Sequence, residues 1–263
     1  MGRSPTKSAG IQSVEVSASL LRALAEHAGP MTLTSLAKAA RMSLSKAHKY
    51  LASFIRIGLV RQDSATGRYM LGRFAAELGF AALRNIDVVE IAQETLDSLR
   101  DRLDTTAALS VWGSRGPTVV RKALNLQPVS LLVQLGTVTP LLTSSTGQVF
   151  AAYLDRRKTR AMIERELADR NGAAAKAGLR TLADVEKLVA KVQKEGTAVA
   201  VGLMHPGVVG MSAPIFDINR DIVATINLAG VDGILDTRPQ SAARRALRAA
   251  AADLSRQLGR NSA

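Results

Sequence analysis

Between Thr32 and Gly58 the chain sets two short apolar periodicities end to end with a two-residue interruption, a spacing that few folds accept. Leu33, Leu36, Ala37 and Ala40 recur at helical intervals behind Thr32 and Thr34, either of which can cap the segment. Arg41-Met42 makes a turn, Ser43 supplies the next cap, and Ala47, Tyr50, Leu51, Phe54 and Ile55 form a second apolar face that ends at Gly58. Upstream, Val14 to His27 carries Leu20, Leu21 and Leu24 at helical spacing before a stop at Gly29-Pro30. Downstream, LVRQD-SATG-RYML alternates around a turn holding Gly67, which is a hairpin pattern. Three helices and a hairpin over residues 11–71 predict a winged helix-turn-helix.

The third helix of that unit has a polar side made of Ser45, His48, Lys49, Ala52 and Arg56, with Lys46 at its edge. A helix fits the major groove of B-DNA, and its amino-terminal half reaches base edges while neighbours touch phosphates. Lys46 and Lys49 suit phosphate or guanine, and Ser45 and His48 suit base edges. Ser43 caps the helix and can hold a phosphate at its positive end. Any exposed helix can carry two lysines, but inside a complete helix-turn-helix and wing the DNA reading is preferred. Arg68 in the wing, and Arg3 and Lys7 in a basic arm expected to be disordered over residues 1–10, add backbone or minor-groove contacts.

The charge distribution agrees. The formal net charge is +13, and residues 1–85 hold 12 Lys and Arg against 4 Asp and Glu, while the remaining residues hold 23 against 18. A concentrated basic segment attracts polyanions, although a generally basic surface explains the total equally well. Aromatic residues at 3% argue against a stacking platform for single strands. The expected partner is therefore double-stranded DNA. The chain has no Cys, which removes disulfide and thiolate chemistry and suits a cytoplasmic protein. No apolar run approaches the ~18 residues of a membrane span.

Residues 72–87 read as a linker helix. FAAELGFAAL is almost wholly apolar, so it is expected to pack against a partner chain or a second domain, with a dimer contact the preferred reading, and Asn85-Ile86-Asp87 breaks it. From Val88 to Ala263 the pattern becomes mixed. VVEIAQETLDSLRDRLD is amphipathic, with Ile91, Leu96, Leu99 and Leu103 inward. TAALSVW and PTVVRKAL alternate around SRGP, and VSLLVQLG and TPLLTS are short apolar stretches. TGQVFAAYL begins a helix at Ser144 or Ser145, and charged helices follow near residues 156–169 and 182–195. AVAVG, VVGMSAPIF and DIVATINLAG return to strand, and a helix over residues 240–258 closes the chain. An antiparallel sheet flanked by helices, an α+β domain able to hold a small ligand, is expected.

TSSTG at residues 143–147 places hydroxyls and backbone N–H groups at a helix start, where they can receive a carboxylate or phosphate, although simple capping by Ser144 or Ser145 explains any two of the hydroxyls. Leu109, Val111, Trp112, Met204 and Met211 are candidate apolar walls, although a lone Trp is more often core. His205 can pair with a ligand carboxylate or phenol, or serve as a surface turn residue. Arg121, on a strand, is a candidate counter-charge for a carboxylate, whereas Arg115 in a turn is expected to be solvated.

A hydrolase of small amides or esters using Ser212 and His205 is the alternative. GMSAP has Pro where a nucleophile elbow has Gly, and it lies within a strand rather than at a strand-to-helix turn. No clustered metal ligands, phosphate loop or dinucleotide fingerprint is visible, so no catalytic residue, metal or cofactor is assigned.

SLAKAARMSLSKAHKYLASFIRIGLV followed by TGRYMLG, then TPLLTSSTGQVFAAYL and GMSAPIFDINRDIVATINLAG, resemble in order and spacing the IclR family of bacterial transcription factors over about residues 11–258. The resemblance implies a GAF-like effector domain and a homodimer, often paired into a tetramer, that binds operator DNA and responds to a small organic acid. Family effectors are typically carboxylates: short oxo acids in some members, aromatic acids in others. By position the cavity is expected to draw on Ser145 and Thr146 at a helix start and on Ala200, Gly210, Asn227 and Ala229 from strands. Two places depart from the family pattern. Arg41 stands where Gly is frequent, at a cost of ~1 kcal/mol if it is left-handed. AVAVGLMHPG lacks the acidic residue common at that strand, which together with the apolar walls points to an aromatic acid.

Overall fold

The computed structural model describes residues 11–27, 29–84, 87–126 and 132–261 and divides the chain into two compact units, Met1–Asn85 and Ile86–Ala263. The arm at residues 1–10, with Arg3 and Lys7, lies outside the described residues. So do Asn85-Ile86 and most of the first half of VSLLVQLG.

The first unit runs α1 (Gln12–Glu26), α2 (Leu33–Ala39), α3 (Leu44–Arg56), β1 (Val60–Gln62), β2 (Tyr69–Leu71) and α4 (Arg73–Arg84). Its core is the set the periodicity marks: Leu20, Leu24, Leu36, Ala37, Ala47, Leu51, Val60 and Tyr69, with Tyr50 and Phe54 packed against it. Ile55 departs from this and is exposed in the last turn of α3. Thr32 caps α2 by accepting from Ser35 N, and Ser43 caps α3 by accepting from Lys46 N. Between them Arg41 is left-handed, with φ +52°, so this turn is built with a side chain in the region that favours glycine. β1 and β2 pair antiparallel from Val60–Leu71 to Gln62–Tyr69, and Met31 bridges Tyr69 on its other side. The hairpin closes tightly enough that a Cβ on Gly72 would stand 2.2 Å from the Gly58 carbonyl oxygen.

The second unit contains α5 (Asp87–Leu103), β3 (Thr106–Gly113), β4 (Gly116–Ala123), α6 (Ser145–Tyr153), α7 (Arg156–Ala168), α8 (Ala173–Lys176), α9 (Leu182–Glu195), β5 (Ala198–Val201), β6 (Val208–Phe216), β7 (Ile222–Val231) and α10 (Ala242–Asn261). The strands form one antiparallel sheet in the order β4-β3-β7-β6-β5. Helices α5 and α10 pack on one face and α6 on the other, with α9 against α6. Phe150, Leu141, Leu142, Ile163, Val185 and Val192 form the core of the α6 side, and Trp112 meets Phe150 at a ring-centroid distance of 5.6 Å. The short α8 has no counterpart in the apolar periodicity.

The pairing of β3 with β4 slips once. Leu109 stands opposite Arg121 and Ser110 opposite Val119, which leaves Val120 as the extra residue of a bulge. Each residue of β4 past that point lies on the face opposite to the one simple alternation from Val119 assigns it.

Candidate functional site

Two places gather the chemistry-bearing residues. The first is the outer side of α3. Ser43, Ser45, Lys46, His48 and Lys49 are all exposed, because Ala47 and Leu51 take the inner side of the same turns. Among the described residues no carboxylate lies within ion-pair distance of Lys46 or Lys49. Arg68 is exposed in the wing turn. That turn is braced by Asp63, whose Oδ1 accepts from the Thr66 hydroxyl and from Thr66 N, each at 2.7 Å. These bonds, the hydroxyl first, hold the Asp63 carboxyl below the usual carboxylate range. Gln62 Nε2 adds a 2.8 Å bond to the Gly67 carbonyl.

The second place is a cavity of about 120 Å³ between the sheet and the start of α6. Ser144, Ser145 and Thr146 line it from the helix start, Ala200, Gly210, Asn227 and Ala229 from the strands, and Met204 and His205 from the loop after β5. Met204 and His205 are exposed and stand at its mouth. Sequence reasoning missed Ala108 and Val119 on strands β3 and β4, and Leu132, Val133, Thr137 and Thr139 on the segment before α6. Period-two alternation from Ser110 reaches Ala108; the pre-helix segment carries no periodic signal at all.

The helix start is built closely. Ser144 Oγ accepts from Gly147 N at 2.9 Å and donates to the Pro140 carbonyl at 2.6 Å. A Cβ on Gly147 would lie 2.1 Å from that same carbonyl oxygen, so only glycine lets the segment cross the helix there. Ser145 and Thr146 occupy the first two helical positions, whose N–H groups have no partner inside a helix, and none elsewhere among the described residues.

Their side chains, by contrast, are engaged. Thr146 Oγ1 donates to Asn227 Oδ1 at 3.1 Å, and Asn227 Nδ2 donates to Ser110 Oγ at 2.9 Å. Having spent its proton, Thr146 must accept from Ser212 Oγ at 3.4 Å, so Ser145 must be the donor in its 2.8 Å contact with Ser212. One proton order satisfies the whole buried chain, Ser145 to Ser212 to Thr146 to Asn227 to Ser110. The polar groups left without a partner at this helix start are therefore the two N–H groups at its positive end, rather than the hydroxyls. Thr139 Oγ1, also on the lining, is buried without a partner among the described residues.

Several expected wall residues lie elsewhere. Leu109, Val111 and Met211 alternate onto the face covered by α5 and α10 and are buried there. Trp112 lies on the α6 side but at the far end of β3, in the core against Phe150. Arg121 is turned away with its partner Leu109 by the bulge at Val120. Lys122, opposite the cavity residue Ala108, takes the cavity side instead, and its Nζ donates to the Val133 carbonyl at 3.1 Å. The hydrolase pair is also absent: Ser212 is fully buried with hydroxyl partners, whereas His205 is exposed at the mouth. Among the described residues no cluster of metal ligands occurs and no helix is long and apolar enough to cross a membrane.

Comparison with known proteins adds to this geometry. The family model of the IclR helix-turn-helix domain matches residues 13–64, and that of the bacterial transcriptional regulator IclR C-terminal domain matches residues 80–256. The chain is 28% identical over 254 residues to the glycerol operon regulatory protein of Streptomyces griseus, covering 95% of this chain and 97% of that one. It is 36% identical to the crystal structure of Pseudomonas aeruginosa HmgR, with a TM-score of 0.75 over 95% of this chain and 100% of that one. An IclR homolog from Microbacterium hydrocarbonoxydans, complexed with 4-hydroxybenzoate, shares the fold at a TM-score of 0.75 and 18% identity, with 94% and 99% covered.

Proposed function

Because the chain belongs to the IclR family, and is thus a transcriptional regulator rather than an enzyme, we propose that its second unit senses a small single-ring aromatic carboxylate and its first unit reads operator DNA as a dimer. One observation carries the ligand assignment: Ser145 and Thr146, whose N–H groups have no partner among the described residues, line a cavity that is otherwise largely apolar. A carboxylate set on those groups gains charge-assisted bonds and the helix dipole. Its ring then lies against Val119, Leu132, Val133 and Val208. An apolar cavity of ~150 Å³ takes up benzene, so a space of about 120 Å³ that opens at Met204 and His205 limits the ligand to a single ring. Met204 and His205 close over the outer end. The 4-hydroxybenzoate bound by a homolog of the same fold supports the class.

On the DNA side, α3 lies in the major groove with Ser45, Lys46, His48 and Lys49 toward bases and phosphates, Ser43 at a phosphate and Arg68 along the backbone. Helix α4 is the linker, and its exposed Phe74, Leu78 and Phe80 supply an apolar surface for a second copy of the chain. The acid changes DNA binding only if it prefers one of two arrangements of that dimer, since a ligand binding both equally shifts nothing.

Thermal unfolding of the purified chain against benzoate, 4-hydroxybenzoate, pyruvate and glyoxylate tests the ligand class. A benzoate at a hundred times its Kd stabilises by about 2.7 kcal/mol. Stabilisation by pyruvate or glyoxylate and by neither benzoate overturns the aromatic assignment.

A further inference from the structure

Lys122 has an unusual position. It is partly buried, it shares the cavity face with Ala108, and Val133 O takes only one of its three N–H donors. Among the described residues no carboxylate pairs with it. The register sets Lys122, Ala108, Asn227 and Ser212 in one cross-strand row, and directly opposed residues share a face. Ser212 and Asn227 end under the start of α6, while Lys122 ends the row on the other side. Two strand spacings, roughly 10 Å, separate the Cα positions of Lys122 and Asn227, and the residue between them in the row is the small Ala108. The helix start of α6 thus lies at one end of the cavity, and at the other, just behind the lining residues Ala108 and Val133, stands an ammonium with no carboxylate partner among the described residues.

We infer that Lys122 anchors a second anionic group of the effector, so that the ligand class is two-ended: a ring with a carboxylate at α6 and another carboxylate facing Lys122. The inference rests on the carboxylate reading of the α6 end. A partly buried cation without a counter-ion loses hydration that an anionic oxygen restores, and ammonium-to-carboxylate bonds are among the stronger ones. Binding replaces or supplements the bond from Lys122 to Val133 O.

Isothermal titration of the full chain with benzoate, terephthalate and isophthalate separates the two readings. The better of the two diacids is expected to bind the wild type roughly tenfold more tightly than benzoate. Lys122→Met and Lys122→Gln are expected to remove that preference and leave benzoate affinity within about twofold, while Lys122→Arg retains it. Equal affinity of the wild type for benzoate and both diacids, or a preference that survives in the Met and Gln variants, overturns the role of Lys122 alone. Failure of all three probes to bind the wild type rejects the carboxylate reading and takes this inference with it.

Discussion

Ser145 and Ser212 face each other across the junction of α6 and β6 with their Oγ atoms 2.8 Å apart, both buried. That contact begins the hydroxyl and amide chain that fixes the helix start over the sheet. It also uses up the hydroxyls that the sequence offers as ligand donors.

Removing Ser212 is therefore expected to act on stability first. Ser212→Ala takes away the acceptor of Ser145 and the donor to Thr146, leaving two buried hydroxyls short of a partner at a cost of about 1–3 kcal/mol. Chemical denaturation of the second unit reads this loss. Ser145→Ala removes the end of the chain only, and benzoate affinity is expected to change less than threefold because the backbone N–H groups remain. A collapse of affinity in Ser145→Ala would mean that the hydroxyl itself receives the acid.

At the turn before α3, Arg41→Gly is expected to stabilise. The left-handed residue at φ +52° costs about 1–2 kcal/mol with a side chain, against about 0.5–1 kcal/mol of extra unfolded-state freedom for glycine. A net gain of about 0.5–1 kcal/mol should raise the unfolding midpoint of the first unit. An unchanged or lower midpoint contradicts the strain at this position.

The wing and recognition helix predict a graded salt response. Each lysine that neutralises a phosphate contributes about one to the slope of log K against log salt. Lys46→Ala and Lys49→Ala together should lower the slope by about two per bound chain, measured by anisotropy of a promoter fragment across salt concentrations. A slope that stays the same places both lysines off the DNA.

Acid sensitivity follows from Asp155. It caps α7 by accepting from Arg157 N, and the Arg157 guanidinium beside it, the largest influence, lowers its pKa to about 2. A carboxylate depressed in the folded state stabilises fully above its unfolded pKa near 4, and that contribution disappears as pH falls toward 2. Asp155→Asn should thus unfold at a lower temperature than the wild type at pH 6, with the gap closing toward pH 2. A gap that is constant with pH assigns the effect to something other than charge.

The buried ion pair of Arg244 and Glu195 gives a further test. Arg244 is almost fully buried, and its Nε also donates to Thr197 Oγ1 at 2.7 Å. Glu195→Ala leaves that cation uncompensated and is expected to cost about 3 kcal/mol, less than removal of a wholly enclosed partner because Glu195 is partly solvated. Near-wild-type stability of the variant would show that solvent reaches Arg244.

Much of this was legible in the residues. Thr32, Ser43 and Ser144 announce helix starts by side-chain chemistry that acts within three residues, and Leu20, Leu36, Ala47 and Leu51 announce their faces by period. The cavity was legible where it is local, at Ser144, Ser145 and Thr146, and where a family resemblance supplied position, at Ala200, Gly210 and Asn227. It was illegible where tertiary register decides. The bulge at Val120 exchanges Arg121 for Lys122 on the cavity face, and nothing in PTVVRKAL marks an extra residue. Trp112 has the right parity but the wrong end of its strand, since Phe150, far along the chain, claims it.

The central claim couples the two units: the α3 face holds operator DNA, and an aromatic acid in the α6 cavity changes that hold. Fluorescence anisotropy of the chain's own promoter and of a random fragment at physiological salt, each with and without saturating benzoate-class acid, tests it most directly. The account predicts a clear preference for the promoter whose affinity shifts when the acid is present. Equal binding of both fragments under both conditions would contradict it.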